Sequence, residues 1–208
     1  MSVDEDVEAR PKRRRAETVE RLLDAALETF AEIGFAAASV EDICRRGGFT
    51  RGAFYSSFRS KDELFAALYT RETGRDLTRV EEQLVGIENE GDPVGAAIER
   101  CLTTFRADRT WVLVHAEYVL HAARNPAAAA LLREHATAQH ARLSGLVEGA
   151  AARTGLRLAV PPGEIARIAM ALHDGVALQQ VSVSDQSGTA VPDLERTALL
   201  LLLRAVCD

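Results

Sequence analysis

The chain has 208 residues, of which 47% are hydrophobic and 27% are charged, a composition typical of a soluble folded protein. Its formal net charge of -6 argues against a protein that coats nucleic acid over its whole surface. The charge is unevenly distributed, because residues 10–75 hold 13 Lys and Arg against 10 Asp and Glu, whereas residues 76–208 hold 12 against 17. Positive charge is therefore concentrated in residues 10–75, and the rest of the chain is acidic.

The cysteines and the apolar runs indicate where the protein acts. Cys44, Cys101 and Cys207 are far apart and lack any Cys-x-x-Cys pairing, which favours a reducing cytoplasm over disulfides or a zinc site. The longest apolar run, residues 198–203, is far shorter than the roughly 20 residues of a membrane-spanning helix. We therefore expect a cytoplasmic protein that does not associate with membranes.

The first 15 residues begin acidic and end in a basic cluster, residues 11–15. We predict a flexible N-terminal arm, residues 1–15, whose basic end is either simply solvated or reaches along a phosphate backbone or into a minor groove. Helix 1 is predicted from about Glu17 to Ile33, since apolar residues recur there at spacings of three and four.

The next stretch predicts two short helices joined by a tight turn. Ser39 can cap the first of these helices, and Asp42 completes a capping-box pattern three residues later. Gly47 and Gly48 stop that helix, because glycine readily takes the positive φ common at helix C-termini.

Thr50 can cap the second short helix, and Phe54 and Phe58 give it a buried stripe four residues apart. Its open face is poor in carbon and rich in hydrogen-bond donors: Arg51, Gly52, Tyr55 and Ser56, with Ser57 near its end. This pattern predicts a helix-turn-helix whose second helix is able to enter a major groove.

These residues also carry a family resemblance. The motifs are Gly34-Phe35, Ser39-Val40, Gly48-Phe49-Thr50-Arg51-Gly52-Ala53-Phe54-Tyr55, Phe58 and Ser60-Lys61-Asp62-Glu63-Leu64. Over residues 16–68 the chain resembles the DNA-binding domain of the tetracycline-repressor (TetR) family. It departs from the family pattern at Ser57, where His or another aromatic residue is frequent, and at Gly47, where Ala is usual.

We predict that Arg51 donates to a guanine edge, while Thr50, Tyr55 and Lys61 hold phosphates. The full set of predicted DNA-binding residues is Ser39, Arg45, Thr50, Arg51, Gly52, Ala53, Tyr55, Ser56, Ser57 and Lys61.

The rest of the chain predicts further helices. The boundaries are about 61–85, 93–106, 109–124, 126–153, 164–183 and 193–206, with loops at 154–163 and 184–192. No stretch shows sustained period-two alternation. The predicted fold is all-α, with about nine helices: a helix-turn-helix DNA-binding domain at residues 16–62 and a helical ligand-binding and dimerisation domain at residues 63–208.

The last two predicted helices are the most uniformly apolar of the later elements. In the family that the chain resembles, these helices pair with their mates in a homodimer, and two-fold reading of DNA requires a dimer. The alternative is a core helix pair inside a monomer.

No residue pattern supports catalysis, a cofactor or a metal. His115, Glu117 and His121 lie near one another in sequence, but no further ligands are spaced to converge with them. Glycine-rich phosphate loops and nucleophile elbows are also lacking.

The second half offers an apolar interior with sparse polar groups, which by itself favours a filled core. The resemblance instead implies a cavity for a small, hydrophobic inducer. The predicted lining residues are Phe105, Trp111, His115, Tyr118, His121, Met170, His173 and Asp174.

The predicted function is a homodimeric transcriptional repressor that binds a palindromic operator in double-stranded DNA and is released by a small molecule. The alternatives are a DNA-binding regulator without small-molecule control and, less in keeping with the residues, an all-α enzyme.

Overall fold

The computed structural model describes the backbone of residues 4–104, 108–183 and 194–207, and the side chains of residues 15–103, 108–182 and 194–207. Within these ranges the regular structure is nine α-helices and one 3₁₀ turn, with no strand, so the predicted all-α fold is confirmed. The helices are α1 (Asp4–Ile33), α2 (Val40–Gly47), α3 (Arg51–Tyr55), α4 (Lys61–Gln83), α5 (Pro93–Thr104), α6 (Arg109–Ala122), α7 (Pro126–Thr154), α8 (Pro162–Val183) and α9 (Leu194–Val206); the 3₁₀ turn is Ile87–Asn89.

Side-chain hydrogen bonds cap the N-termini of α5 and α7. The Asp92 carboxylate accepts the backbone N–H of Gly95 (3.0 Å) at the start of α5, and the Asn125 side chain accepts the N–H of Ala127 (3.1 Å) at the start of α7. In each case a proline at the first helical position follows the capping residue.

One helix start differs from the prediction. Helix α1 begins at Asp4 rather than near Glu17, so most of the stretch interpreted as a flexible arm has helical backbone. That stretch is rich in Glu, Ala, Lys and Arg, residues of high helix propensity, which here outweigh the cost of Pro11. The predicted loop at 184–192 and the predicted ligand residue Phe105 lie outside the described residues.

The chain divides into two compact units. Unit 1 is Met1–Tyr69 with Val114–Leu132, and unit 2 is Thr70–Leu113 with Arg133–Asp208. Unit 1 is thus larger than the predicted DNA-binding domain of residues 16–62, because it also contains the start of α4 and the second half of α6.

Unit 1 is organised around an aromatic core. Phe30, Phe35, Phe65 and Tyr118 are each almost fully buried. The rings of Phe65 and Tyr118 stack with centroids 3.6 Å apart, and Phe35 meets Tyr118 edge-on at 4.8 Å. Such pairs contribute about 0.5–1.5 kcal/mol beyond the area they bury. Tyr118 therefore holds α6 within the same core as the helix-turn-helix.

Unit 2 is less completely closed. Its buried apolar residues include Leu77, Val80, Ile98, Ile165 and Val176. No residue of α9 within the described part is buried, and Leu201 is 71% exposed. On α8, Ile168 and Leu178 are also exposed.

None of the helices in the described part of the chain combines the length and the hydropathy of a membrane-spanning segment.

Candidate nucleic-acid interface

Helix α2 begins at the capping box predicted from the sequence. The backbone N–H of Ser39 donates to the Asp42 carboxylate (3.0 Å), and the backbone N–H of Asp42 donates to the Ser39 hydroxyl (3.1 Å). The hydrogen bonds from the Ser39 side chain and backbone lower the pKa of Asp42. Because the Ser39 hydroxyl is engaged in this cap, its first role is to fix the start of α2.

The turn after α2 depends on both glycines. Gly48 has φ of 72°, in the left-handed region, and the N–H of Phe49 closes the turn on the carbonyl of Cys44 (2.8 Å). A Cβ at Gly47 would lie 2.8 Å from the ring of Phe49 and 3.2 Å from the Cβ of Ala25. Gly47, one of the two departures from the family pattern, therefore makes room for the inward-turned Phe49.

Helix α3 presents its polar face outward, as predicted. Thr50 caps it by accepting the N–H of Ala53 (3.2 Å). Phe54 and Phe58 are buried, whereas Arg51 and Tyr55 are exposed, the Arg51 side chain at 62%. A Cβ at Gly52 would meet only the Thr50 hydroxyl, at 3.7 Å, so the helix backbone is accessible at that position.

Arg51 is held by a residue that the sequence analysis did not select. Its guanidinium contacts the Glu41 carboxylate at 2.7 Å and lies 5.8 Å from the centroid of the Tyr55 ring. Glu41 lies in the first turn of α2 and is itself exposed. From the sequence, Glu41 is recognisable only as an acid in the first turn of a helix, where negative charge is favourable. No sequence pattern connects it with Arg51.

The remaining predicted DNA-binding residues lie around α3. Arg45, in the last turn of α2, is exposed and pairs with Asp42 three residues earlier on the same helix. The Ser56 hydroxyl donates to the carbonyl of Ala53 (2.7 Å), and Ser57 is half-buried. Arg15, the last residue of the basic cluster, donates to the carbonyl of Ser56 (3.3 Å), which places that residue beside the end of α3.

Lys61 has a structural task in addition to any contact with DNA. Its ammonium donates to the carbonyls of Phe35 (2.5 Å) and Ala38 (2.7 Å) and lies 4.4 Å from the centroid of the Phe35 ring. Burial lowers the pKa of Lys61. An ammonium has three N–H donors, and two are directed at these carbonyls, so one is left for a phosphate.

Three of the predicted ligand residues lie in unit 1. The Tyr118 hydroxyl donates to the Asp62 carboxylate (3.2 Å), and His121 Nε2 lies 3.1 Å from the same oxygen. Burial, followed by the charge of Asp62, raises the pKa of Tyr118. The His115 ring lies 5.3 Å from that of Tyr69. Tyr118 is buried inside the unit that carries the helix-turn-helix, whereas His115 and His121 are partly exposed.

The same unit uses an acid that the sequence analysis considered only as a possible metal ligand. The Glu117 carboxylate accepts the backbone N–H of Phe35 (2.6 Å), in the turn that follows α1. A Cβ at Gly34 would lie 3.0 Å from a Glu117 oxygen, and Gly34 has φ of 82°. Glu117 therefore links α6 to that turn by a hydrogen bond between residues 82 positions apart, which no local sequence pattern predicts.

The other described ligand candidates, Trp111, Met170, His173 and Asp174, lie in unit 2. His173 Nδ1 is 2.9 Å from a Glu195 carboxylate oxygen. Burial opposes the protonated form of His173, but the hydrogen bond and charge of Glu195, with Asp174 and Asp76, outweigh it and raise the pKa of His173. Trp111 and Met170 are partly buried, and Asp174 is exposed.

Comparisons with known sequences agree with this geometry. The profile of bacterial regulatory proteins of the tetR family matches residues 22–68, and the profile of the BetI-type transcriptional repressor C-terminal domain matches residues 92–203. The regulator UidR of Escherichia coli is 33% identical over 113 residues, which are 54% of this chain and 56% of UidR. An uncharacterized regulator of Bacillus subtilis, YdgC, is 42% identical over 59 residues, or 28% of this chain and 30% of YdgC. The chain thus spans about half the length, or less, of these curated relatives.

Solved structures extend the likeness over most of the chain. Salmonella enterica GusR is 28% identical, with a TM-score of 0.70 over 90% of this chain and 96% of GusR. Bacillus subtilis FadR in complex with stearoyl-CoA shares the fold at 18% identity, with a TM-score of 0.65 over 88% of this chain and 96% of FadR. The matched profiles and relatives are transcriptional regulators. One profile covers the helix-turn-helix, and the other covers more than half of the chain. This chain therefore belongs to the TetR family of transcriptional regulators.

Proposed function

We propose that the protein is a cytoplasmic homodimeric repressor that binds a palindromic operator and is released by a small molecule. The observation that carries the DNA-binding part is the outward face of α3. Arg51 and Tyr55 are exposed there, while Phe54 and Phe58 anchor the helix in the core of unit 1. Arg51 is the residue best suited to read a base, because a guanidinium can donate two hydrogen bonds to the edge of a guanine.

The other predicted contacts position the protein rather than specify sequence. The hydroxyls of Thr50 and Tyr55 lie at the start and on the face of α3, and Arg15 and Arg45 add exposed positive charge nearby. Hydroxyl and basic side chains of this kind hold phosphates and set the register on the duplex. The third N–H of Lys61 is able to join them.

The dimer rests on the apolar surface of α8 and α9. Ile168, Leu178, Leu194 and Leu201 are exposed large hydrophobic residues on these two helices. A second copy of the chain would remove them from water, each fully covered side chain contributing about 1.5–3 kcal/mol. A two-fold axis through these helices would also give one helix-turn-helix to each half of a palindrome.

Support for a small-molecule effector comes from the relatives rather than from a cavity. FadR, which shares the fold, is in complex with stearoyl-CoA. Within unit 2, Trp111 and Met170 offer apolar surface, and His173 with Asp174 offers polar groups for a ligand. A ligand releases the operator only if it binds the DNA-incompetent conformation more tightly, by about 1.4 kcal/mol for each tenfold loss of operator affinity.

Selection of bound DNA from a random pool, with the full-length chain, tests the DNA-binding proposal. The expected result is a palindrome whose half-site centres are about 10 bp apart or a multiple of that spacing. Enrichment of no sequence, or of a single asymmetric site, would contradict it.

The effector proposal is tested with compounds that release the protein from the selected operator. Trp111 is the sole tryptophan, so its fluorescence reports on unit 2 without labelling. We expect an effector to change Trp111 emission and to weaken operator binding over the same concentration range. Release without any change in emission would remove Trp111 from the effector site and leave the DNA-binding proposal intact.

A further inference from the structure

A surface groove in unit 2 is lined mainly by arginine. It lies between α4 and α7, and its charged lining residues are Arg71, Arg75, Arg79 and Arg142, with Glu82 as the acid. This lining holds four Arg against one Glu, whereas unit 2 as a whole, which contains the groove, holds 13 Arg against 17 Asp and Glu. The groove is therefore a basic feature on an acidic part of the chain.

Three of the arginines form a ladder on one face of α4. Arg71, Arg75 and Arg79 are four residues apart, which places successive side chains about 6 Å apart along the helix axis. Like charges at this spacing destabilise a helix by a few tenths of a kcal/mol per pair. Acids on the same helix offset part of that cost, since Glu72 contacts Arg71 (2.8 Å) and Arg75 (3.3 Å), and Asp76 contacts Arg79 (3.4 Å).

The fourth arginine reaches the ladder from α7. Arg142 donates to the Thr78 hydroxyl (3.0 Å) and to the carbonyl of Gly74 (3.4 Å), and it contacts Glu81 at 3.3 Å. These contacts hold its guanidinium against α4. At the other end of the ladder, the Arg71 side chain is only 8% exposed, which removes much of the solvent screening from its charge.

Gly74 lies among these arginines in the middle of α4. A glycine there costs about 1 kcal/mol relative to alanine, and its φ is not among the positive values that favour glycine. A Cβ at this position would meet no atom within 4 Å, so packing of the described residues does not require its absence. The missing side chain leaves this part of the helix backbone open to a ligand lying in the groove.

We propose that this groove is a binding site for a small molecule that carries two or more linked phosphate groups. Guanidinium groups recognise phosphate through paired N–H donors, and a guanidinium carries five of them. A lone carboxylate or phosphate meets one or two arginines, whereas linked phosphates extend from one step of the ladder to the next. Gly74 forms the floor against which such a ligand lies. The site is independent of the helix-turn-helix, and its test requires no DNA.

Isothermal titration calorimetry of the full-length chain with inorganic pyrophosphate, at ionic strength held constant with NaCl, tests the site. We expect saturable binding of one pyrophosphate per chain in the micromolar range, and much weaker binding of orthophosphate. The variants Arg79→Gln and Arg142→Gln, both at partly exposed side chains, are each expected to weaken pyrophosphate binding about tenfold or more.

Two further variants separate a built site from general attraction to positive charge. Gly74→Leu keeps every arginine and fills the floor, and we expect it to weaken binding about tenfold or more. Arg133→Gln removes one exposed positive charge elsewhere on α7 and is expected to leave binding unchanged. Lack of saturable binding up to millimolar pyrophosphate, equal losses for Arg133→Gln and the groove variants, or full binding by Gly74→Leu would each overturn the proposal.

Discussion

The two units of this protein bury their apolar residues in different ways. Nearly all of the largest side chains that are almost fully buried within the described residues, such as Phe30, Phe35 and Tyr118, lie in unit 1. Unit 2 holds Ile87 from that group, and its last helix, α9, has no buried residue in the described part. The core of unit 1 is thus complete within one chain, with Ile33, Val119 and Leu120 exposed on its surface, whereas unit 2 includes a helix, α9, that buries none of its described residues.

The two units also differ in how their polar and exposed groups are used. In unit 1, side chains from distant parts of the sequence satisfy the backbone around the helix-turn-helix: Lys61 binds two carbonyls and Glu117 binds the N–H of Phe35. A helix that reads DNA needs such support, because its side chains form hydrogen bonds with base edges only when the helix is held in a fixed position. In unit 2, the exposed leucines and the row of arginines are the surfaces to which we assign a second copy of the chain and a phosphate ligand.

The strongest test of this comparison is a charge on the exposed surface of α9. We expect Leu201→Asp to convert the proposed dimer to monomers and to weaken operator binding at least about 100-fold, since joint binding by two domains is lost. Light-scattering mass and DNA mobility shift measure the two effects. Unit 1 should stay folded, because its core does not use this residue.

Val85→Asp is the matched control for that variant. Val85 is as exposed as Leu201 and belongs to unit 2, but it follows α4 and is not part of α8 or α9. We expect it to remain dimeric. A wild type that is monomeric at micromolar concentration, or equal effects of the two variants, would show that α9 is not the dimer surface.

The next prediction concerns the outward face of unit 1. Arg51→Ala should lose about 1–3 kcal/mol of operator binding and relax the preference at one base pair per half-site. Competition between operator variants measures both quantities. Arg124→Ala removes an exposed arginine of unit 1 at the end of α6 and should change neither. Wild-type selectivity in Arg51→Ala would refute the assignment of Arg51 as the base-reading residue.

Lys61 allows the supporting and DNA-contacting roles in unit 1 to be separated. Lys61→Met leaves two carbonyls without their donor, and we expect it to destabilise the protein by about 1–3 kcal/mol. That corresponds to a decrease in Tm of about 2–4 °C per kcal/mol for a chain of this size.

The salt dependence of operator binding measures the other role of Lys61. If its third N–H holds a phosphate, the slope of log K against log salt falls by about one in Lys61→Met. Arg59→Met, a nearby exposed basic residue, serves as the control for stability. An unchanged Tm in Lys61→Met would contradict the supporting role.

The smallest expected effect is a pH dependence that arises in unit 2. The pKa of His173 is raised in the folded chain, so the stabilisation it provides is complete below the unfolded value of about 6.5 and is lost as pH rises through the folded value. We expect Tm to fall by a few degrees at most between pH 6 and pH 8. His173→Gln should show a smaller fall, and an equal fall in both proteins would assign the effect to other groups.

Local physical rules made much of the molecule predictable. The capping box at Ser39 and Asp42, the Thr50 cap and the left-handed Gly48 each depend on residues within a few positions, so the sequence displays both partners. The alternation of buried Phe54 and Phe58 with exposed Arg51 and Tyr55 likewise follows from the period of a helix. The candidate DNA-reading face was therefore accessible to sequence analysis.

The sequence by itself determined the helical elements apart from the start of α1, the caps of α2 and α3 and the side of α3 that faces outward, because those features arise from neighbouring residues. Only the tertiary structure placed Glu41 against Arg51, Lys61 on the carbonyls of Phe35 and Ala38, and Tyr118 in the core of unit 1. Helical periodicity shows which side chains are apolar or share a face, but it does not identify the partner across a distance of tens of residues. That choice is made by packing and by the need of each polar group that leaves water to find a hydrogen bond.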